Sequence, residues 1–141
     1  MEAPAPLTGK SYNFFLERGI IAVTIVDIVG SLLSRWLNFD YGWISIPSML
    51  VYIGLAYLIG SIQNLKTALW SIVKLSLYDG TVGFTLSLLL EANIGGFEKK
   101  IYQYGLIGWM FILVLDVIFS MILGLIGYSI AKSKKRIKTN R

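Results

Sequence analysis

Four long apolar runs, each interrupted at only a few polar positions, fill most of this 141-residue chain: Gly19–Leu37, Trp43–Ile62, Ala68–Leu90 and Gly105–Ala131. Each is near or above the roughly 20 residues an α-helix needs to cross about 30 Å of hydrocarbon. The pattern predicts an all-α integral membrane protein, a four-transmembrane-helix bundle with short connections. Residues 1–18 read as a cytoplasmic or interfacial lead, 19–131 as the membrane domain, and 132–141 as a basic cytoplasmic tail. Within the lead, Met1–Gly9 carries Pro4 and Pro6 and is expected to be disordered. No basic segment and small-residue cleavage site precede the first run, so span one is expected to stay as a signal anchor.

The polar positions inside these runs are patterned. Span one carries Thr24, Asp27, Ser31, Ser34 and Asn38, spaced three, four, three and four, which places all five on one helix face. Span four does the same with Asp116, Ser120, Gly124, Gly127 and Ala131. Span three has two such lines. Ser71, Lys74, Tyr78, Thr81 and Thr85 form one, and Ser76, Asp79, Gly83 and Ser87 form the other. In lipid, small and polar faces pack on protein, so span three is expected to be the central helix. Span two has no charge and only a milder line through Ser45, Ser48, Tyr52, Ala56, Gly60 and Gln63, which predicts the most lipid-exposed position.

A carboxylate within a span costs on the order of 2.5–3.5 kcal/mol on insertion scales, and usually lines a packed or wet interior. Asp27, Asp79 and Asp116 are therefore the candidate functional residues, together with Lys74 and with Ser31 and Ser120, each four residues after an acid. Counted from the span ends, Asp27 and Lys74 fall at similar depth and are expected to form an interhelical ion pair, unless Lys74 snorkels toward the cytoplasm. Asp79 and Asp116 both fall near the midplane, where two facing acids would share a proton. Ser31 and Ser120 are placed to bond their own acids or the backbone.

Charge sets the expected orientation. Lys10, Arg18, Lys66 and the tail residues Lys132, Lys134, Lys135, Arg136, Lys138 and Arg141 lie on the side of the termini, against Arg35, Lys99 and Lys100 opposite. Nine against three predicts both termini in the cytoplasm of a multi-pass cell-membrane protein. Trp36, Tyr41, Trp43, Tyr102, Tyr104 and Trp109 mark one interface, and Trp70 and Tyr128 the other. The basic tail is expected to touch anionic lipid; it has no interleaved aromatics, and no nucleic acid is expected as partner.

The absence of Cys and His from the sequence removes disulfides, thiol nucleophiles, His-dependent triads and Cys or His metal sites. No cofactor or metal is expected. Tyr78-Asp79 echoes intramembrane aspartyl proteases, but their Gly-x-Gly-Asp and Pro-Ala-Leu elements are missing, and Asp79-Gly80 lacks the further acids of phospholipid-head-group transferases. Enzyme activity is not expected.

Two short segments resemble known families. Asp27-Ile28-Val29-Gly30-Ser31 with Arg35 resembles the first helix of small multidrug-resistance exporters. Thr24-Ile25-Val26-Asp27 with Asn64 and Lys66 is similar to the GtrA-like four-helix proteins of cell-envelope polysaccharide assembly. Neither segment is long enough to assign the chain to a family. On composition and size the leading expectation is an accessory or structural subunit of a larger membrane complex, its polar faces packed on other subunits. The alternative is a small proton- or cation-coupled carrier, or a component that translocates a lipid-linked substrate, using Asp79 and Asp116 for binding and Asp27 and Lys74 as a gate. A bundle this small would then be expected to self-associate to make a pathway.

Overall fold

The computed structural model describes residues 9–95 and 103–139. Helix α1 spans Gly9–Leu37 and is followed by a 3-10 turn, Tyr41–Ile44, and helix α2, Ser45–Ile62. The third span begins as α3, Leu65–Tyr78, widens into a π-helical turn at Asp79–Gly83, and ends as α4, Phe84–Leu89. Helix α5, Gly105–Thr139, completes the chain. Four helical stretches are long and apolar enough to cross a membrane: Tyr12–Leu37, Tyr41–Ile62, Leu65–Leu89 and Gly105–Arg136. The protein is an all-α, multi-pass membrane bundle. The expected disordered lead before Gly9, Lys99 and Lys100 of the last connection, and the last two residues of the tail lie outside the described residues.

Local chemistry explains the boundaries. Asn38, with φ of 52°, takes the left-handed conformation that closes many helices and that Asn tolerates better than most residues. The Asp40 carboxylate accepts from Gly42 N at 2.9 Å and starts the 3-10 turn. Pro47 falls in the first turn of α2, where its missing N–H would be unbonded anyway. Asn64 caps α3 by accepting from Thr67 N at 2.9 Å. Two helices run beyond the predicted spans. α1 starts ten residues before Gly19 because Tyr12, Phe15 and Leu16 pack on the apolar core. α5 continues through the basic segment, where Lys132 lies over the Tyr128 ring at 5.1 Å and Lys134 over Tyr57 at 5.9 Å.

The packing differs from expectation in one respect that matters. α2 and the third span each pack against all three other spans, whereas among the described residues α1 and α5 stand at opposite corners and do not meet. Span two is thus a central helix, not the most lipid-exposed one. Its small line makes this possible. A Cβ at Gly127 of α5 would collide with the Ile53 carbonyl of α2 and lie 2.9 Å from Ala56 Cβ. At Gly60 a Cβ would lie 3.3 Å from Tyr128 Cα. Small residues let two backbones approach this closely in lipid. Val23, Leu55, Ile59, Ile72 and Leu75 fill the half of the bundle nearer the termini with apolar packing.

At the other end, the connections are tied together. Tyr41 N donates to Asn93 O at 2.9 Å, Asn93 N to Ser34 Oγ at 3.1 Å, and Ser34 Oγ to Phe39 O at 2.8 Å. Arg35 and Glu91 add an exposed ion pair at 2.9 Å, worth little by itself. This clamp holds Tyr41 above the middle of α1.

Candidate functional site

The inward stripes converge. Asp27, Ser31 and Ser34 of α1 are buried, as are Ser76, Gly83 and Ser87 of the third span and Ser120 of α5. Asp27 and Asp79 bracket Gly83: a Cβ there would collide with Asp27 Oδ2 and lie 2.6 Å from Asp79 Oδ1. Only a glycine permits this approach of two carboxyl groups. Tyr41 Oη donates to Asp27 Oδ1 at 3.2 Å, and Tyr52 Oη donates to Asp79 Oδ2 at 2.6 Å. Across the site, Ser76 Oγ donates to Asp116 Oδ2 at 2.5 Å. The π-helical turn that carries Asp79 leaves backbone carbonyls less regularly bonded, and Trp109 Nε1 donates to one of them, Gly80 O, at 3.3 Å. Such turns recur at functional sites because they re-aim side chains within a helix.

All three acids line one cavity of about 170 Å³. Its walls come from the N-terminal halves of α2 (Ser45, Ser48, Met49, Tyr52) and α5 (Ile112, Asp116, Phe119, Ser120), with Asp27 and the π turn behind them. α2 and α5 touch most closely farther along, at Gly60, Gly127 and Ile53, so the cavity is a wedge that closes toward the termini. Among the described residues no Lys or Arg lines it. Buried carboxyl groups without a paired cation are costly, and negative charge here is compensated only when a proton or a cation joins them.

Each residue singled out from the sequence has a definite place. Asp27, Asp79, Asp116 and Ser120 line the cavity. Ser31 is buried beside it, and Ser31 turns toward Tyr41 and Ser120 toward Tyr52 rather than toward their own acids. Lys74 does not meet Asp27. It is exposed, with Nζ 3.5 Å from Tyr12 Oη and 5.5 Å from that ring's centre, and among the described residues the only salt bridge is Arg35–Glu91. The two sit at different depths because α1 begins early: Asp27 lies fifteen residues along the first span from Tyr12, deeper than a start at Gly19 implied. Asp79 therefore faces Asp27 more closely than Asp116. Lys74, five residues before Asp79, points roughly 140° away around the helix.

Sequence reasoning missed Tyr41 and Tyr52. Tyr41 resembled an interfacial aromatic, and only the clamp to Asn93 shows it turned inward. Tyr52 was visible in the small-residue line of span two, but an uncharged span gave no sign of an acid partner on another helix. No family model matches this chain, and neither do the curated proteins or the solved structures with which it was compared.

Proposed function

We propose that this protein is a small cation- or proton-coupled membrane carrier whose binding site is the wedge lined by Asp27, Asp79 and Asp116. The observation that carries this reading is the convergence of three acids from three spans on one cavity without a basic side chain. An accessory subunit would be expected to turn its polar stripes toward partners. Here the acid-bearing stripes turn toward one another within a single chain, which favours the carrier. The wedge is open between the N-terminal halves of α2 and α5 and sealed by apolar packing nearer the termini. That asymmetry suits one state of an alternating-access cycle, in which the sealed half opens as the other closes. With both termini cytoplasmic, as the charge bias favours, the open half faces outward.

Asp79 and Asp116 bind the cation or proton in this scheme, Asp27 completes the negative site, and Tyr41 and Tyr52 hold two of the acids in place. Lys74 takes no part. The test is flux in proteoliposomes carrying an internal pH-sensitive dye under imposed proton and cation gradients. Asp79→Asn and Asp116→Asn should each abolish flux while abundance and thermal stability in detergent stay near those of the unaltered protein. Undiminished flux in both variants, or loss of abundance without any flux to lose, would return the acids to a structural role.

A further inference from the structure

Two buried polar groups in the cavity wall have only one another or a single neighbour to bond. Asp27 is 3% exposed, and its Oδ2 meets no donor other than the neighbouring Asp79 carboxyl; Ser120 is 1% exposed, and its Oγ turns toward Tyr52. Both side chains line the cavity. Asp27 Oδ2 and Asp79 Oδ1 flank Gly83 as two acceptors unless a proton or a ligand donor joins them, and leaving a buried acceptor unpaired is worth roughly a tenfold or greater change in an equilibrium constant. Met49, Phe84, Ile112, Phe119 and Leu123 make much of the remaining wall apolar or aromatic.

Asp27 and Asp79 lie side by side, and Asp116 stands apart from them on Ser76. Among the described residues no group of three acids is placed to hold a metal ion. Size narrows the ligand further. An apolar cavity of about 150 Å³ takes one benzene molecule, and this cavity is about 170 Å³.

We propose that the cavity binds a primary amine, as its ammonium ion, carried on an apolar body about the size of one aromatic ring. The proposal rests on the carrier reading and names the class of its cation. The ammonium brings three N–H donors and one positive charge, which answers Asp27 Oδ2 and the neighbouring Asp79 together. The apolar body lies against Phe84 and Phe119. A quaternary ammonium carries the charge but no N–H, and would leave Asp27 Oδ2 unpaired. An alcohol of the same shape carries no charge.

The probe is radiolabelled benzylamine, measured at pH 7 by equilibrium dialysis against the purified full-length chain in detergent micelles. Saturable binding is expected, displaced by unlabelled benzylamine. Benzyltrimethylammonium and benzyl alcohol should each bind at least about tenfold more weakly. Sodium chloride should displace no more label than choline chloride at equal concentration. Asp27→Asn should weaken binding by a similar factor; should that variant not fold, the comparison among the benzyl compounds decides on the unaltered protein. Equal affinity for benzyltrimethylammonium, displacement specific to sodium, or no saturable benzylamine binding would overturn the assignment. If benzylamine fails to bind while Asp79-dependent flux persists in proteoliposomes, the amine assignment falls and the carrier reading stands. Loss of both sinks both.

Discussion

Gly83 decides whether Asp27 and Asp79 can share one site. A methyl group there would occupy space already held by Asp27 Oδ2 and by Asp79 Oδ1, with Asp27 Cγ 3.1 Å away. Neither carboxyl can retreat freely, because Tyr41 holds the first and Tyr52 the second. Overpacking of this kind costs about 1–3 kcal/mol. Gly83→Ala should therefore lower the melting temperature in detergent and, in the fraction that stays folded, reduce cation-dependent flux more than a purely structural lesion would. Unchanged flux with unchanged melting would mean that the two acids do not need each other's company. From the sequence Gly83 was one small residue in a stripe with Ser76, Asp79 and Ser87, and the stripe was placed correctly. That Gly83 lies between two acids depended on α1 approaching at that level, which no local pattern encodes.

Among the elements, the helical period was enough to identify most inward faces. Asp27, Ser31 and Ser34 on α1 and Ser120, Gly124, Gly127 and Ala131 on α5 are buried as their spacing required. The first stripe of span three also meets a neighbour, since Ser71 is buried and Tyr78 Oη lies 3.1 Å from Thr24 Oγ1 of α1. Ser71 Oγ, Thr81 Oγ1 and Thr85 Oγ1 donate to the carbonyls of Thr67, Leu77 and Thr81, four residues back, at 2.7, 2.6 and 2.6 Å. Those three hydroxyls are satisfied by their own helix, so the hydrogen bond from this stripe to α1 comes from Tyr78. The misplaced element was α2, expected at the periphery although its packing rests on missing side chains rather than on charge. Two glycines test that packing. Gly127→Ala places a methyl against the Ile53 backbone and should destabilise the α2–α5 contact by about 1–3 kcal/mol. Gly54, in the same helix as Ile53, has nothing within 4 Å of where its Cβ would stand. Gly54→Ala should be neutral or stabilising by up to about 1 kcal/mol through helix propensity. Thermal unfolding of both variants in one detergent compares them directly, and equal effects would show that the α2–α5 approach carries no stability.

For the whole molecule, the wedge has a direction only if the bundle has one. Of the basic residues outside the spans, nine lie with the termini and three with the opposite connections. Basic side chains near an anionic cytoplasmic leaflet gain about 1 kcal/mol each. The α5 extension presents Lys132, Lys134, Lys135 and Arg136 on continuous helix at that end. The opposite end holds Asp40 and the exposed Arg35–Glu91 pair, and there the wedge between α2 and α5 begins. The chain contains no cysteine, so single cysteines report orientation without a background. Gln103 and Ser133 are exposed at opposite ends of the bundle. In intact cells a membrane-impermeant maleimide should label Gln103→Cys and leave Ser133→Cys unlabelled until the membrane is permeabilised. The opposite pattern would turn the acid-lined wedge toward the cytoplasm, so that an amine would enter from inside and the apolar seal would face out. Labelling of both sites in intact cells would mean that the chain inserts in two orientations, with wedges facing both ways across one membrane.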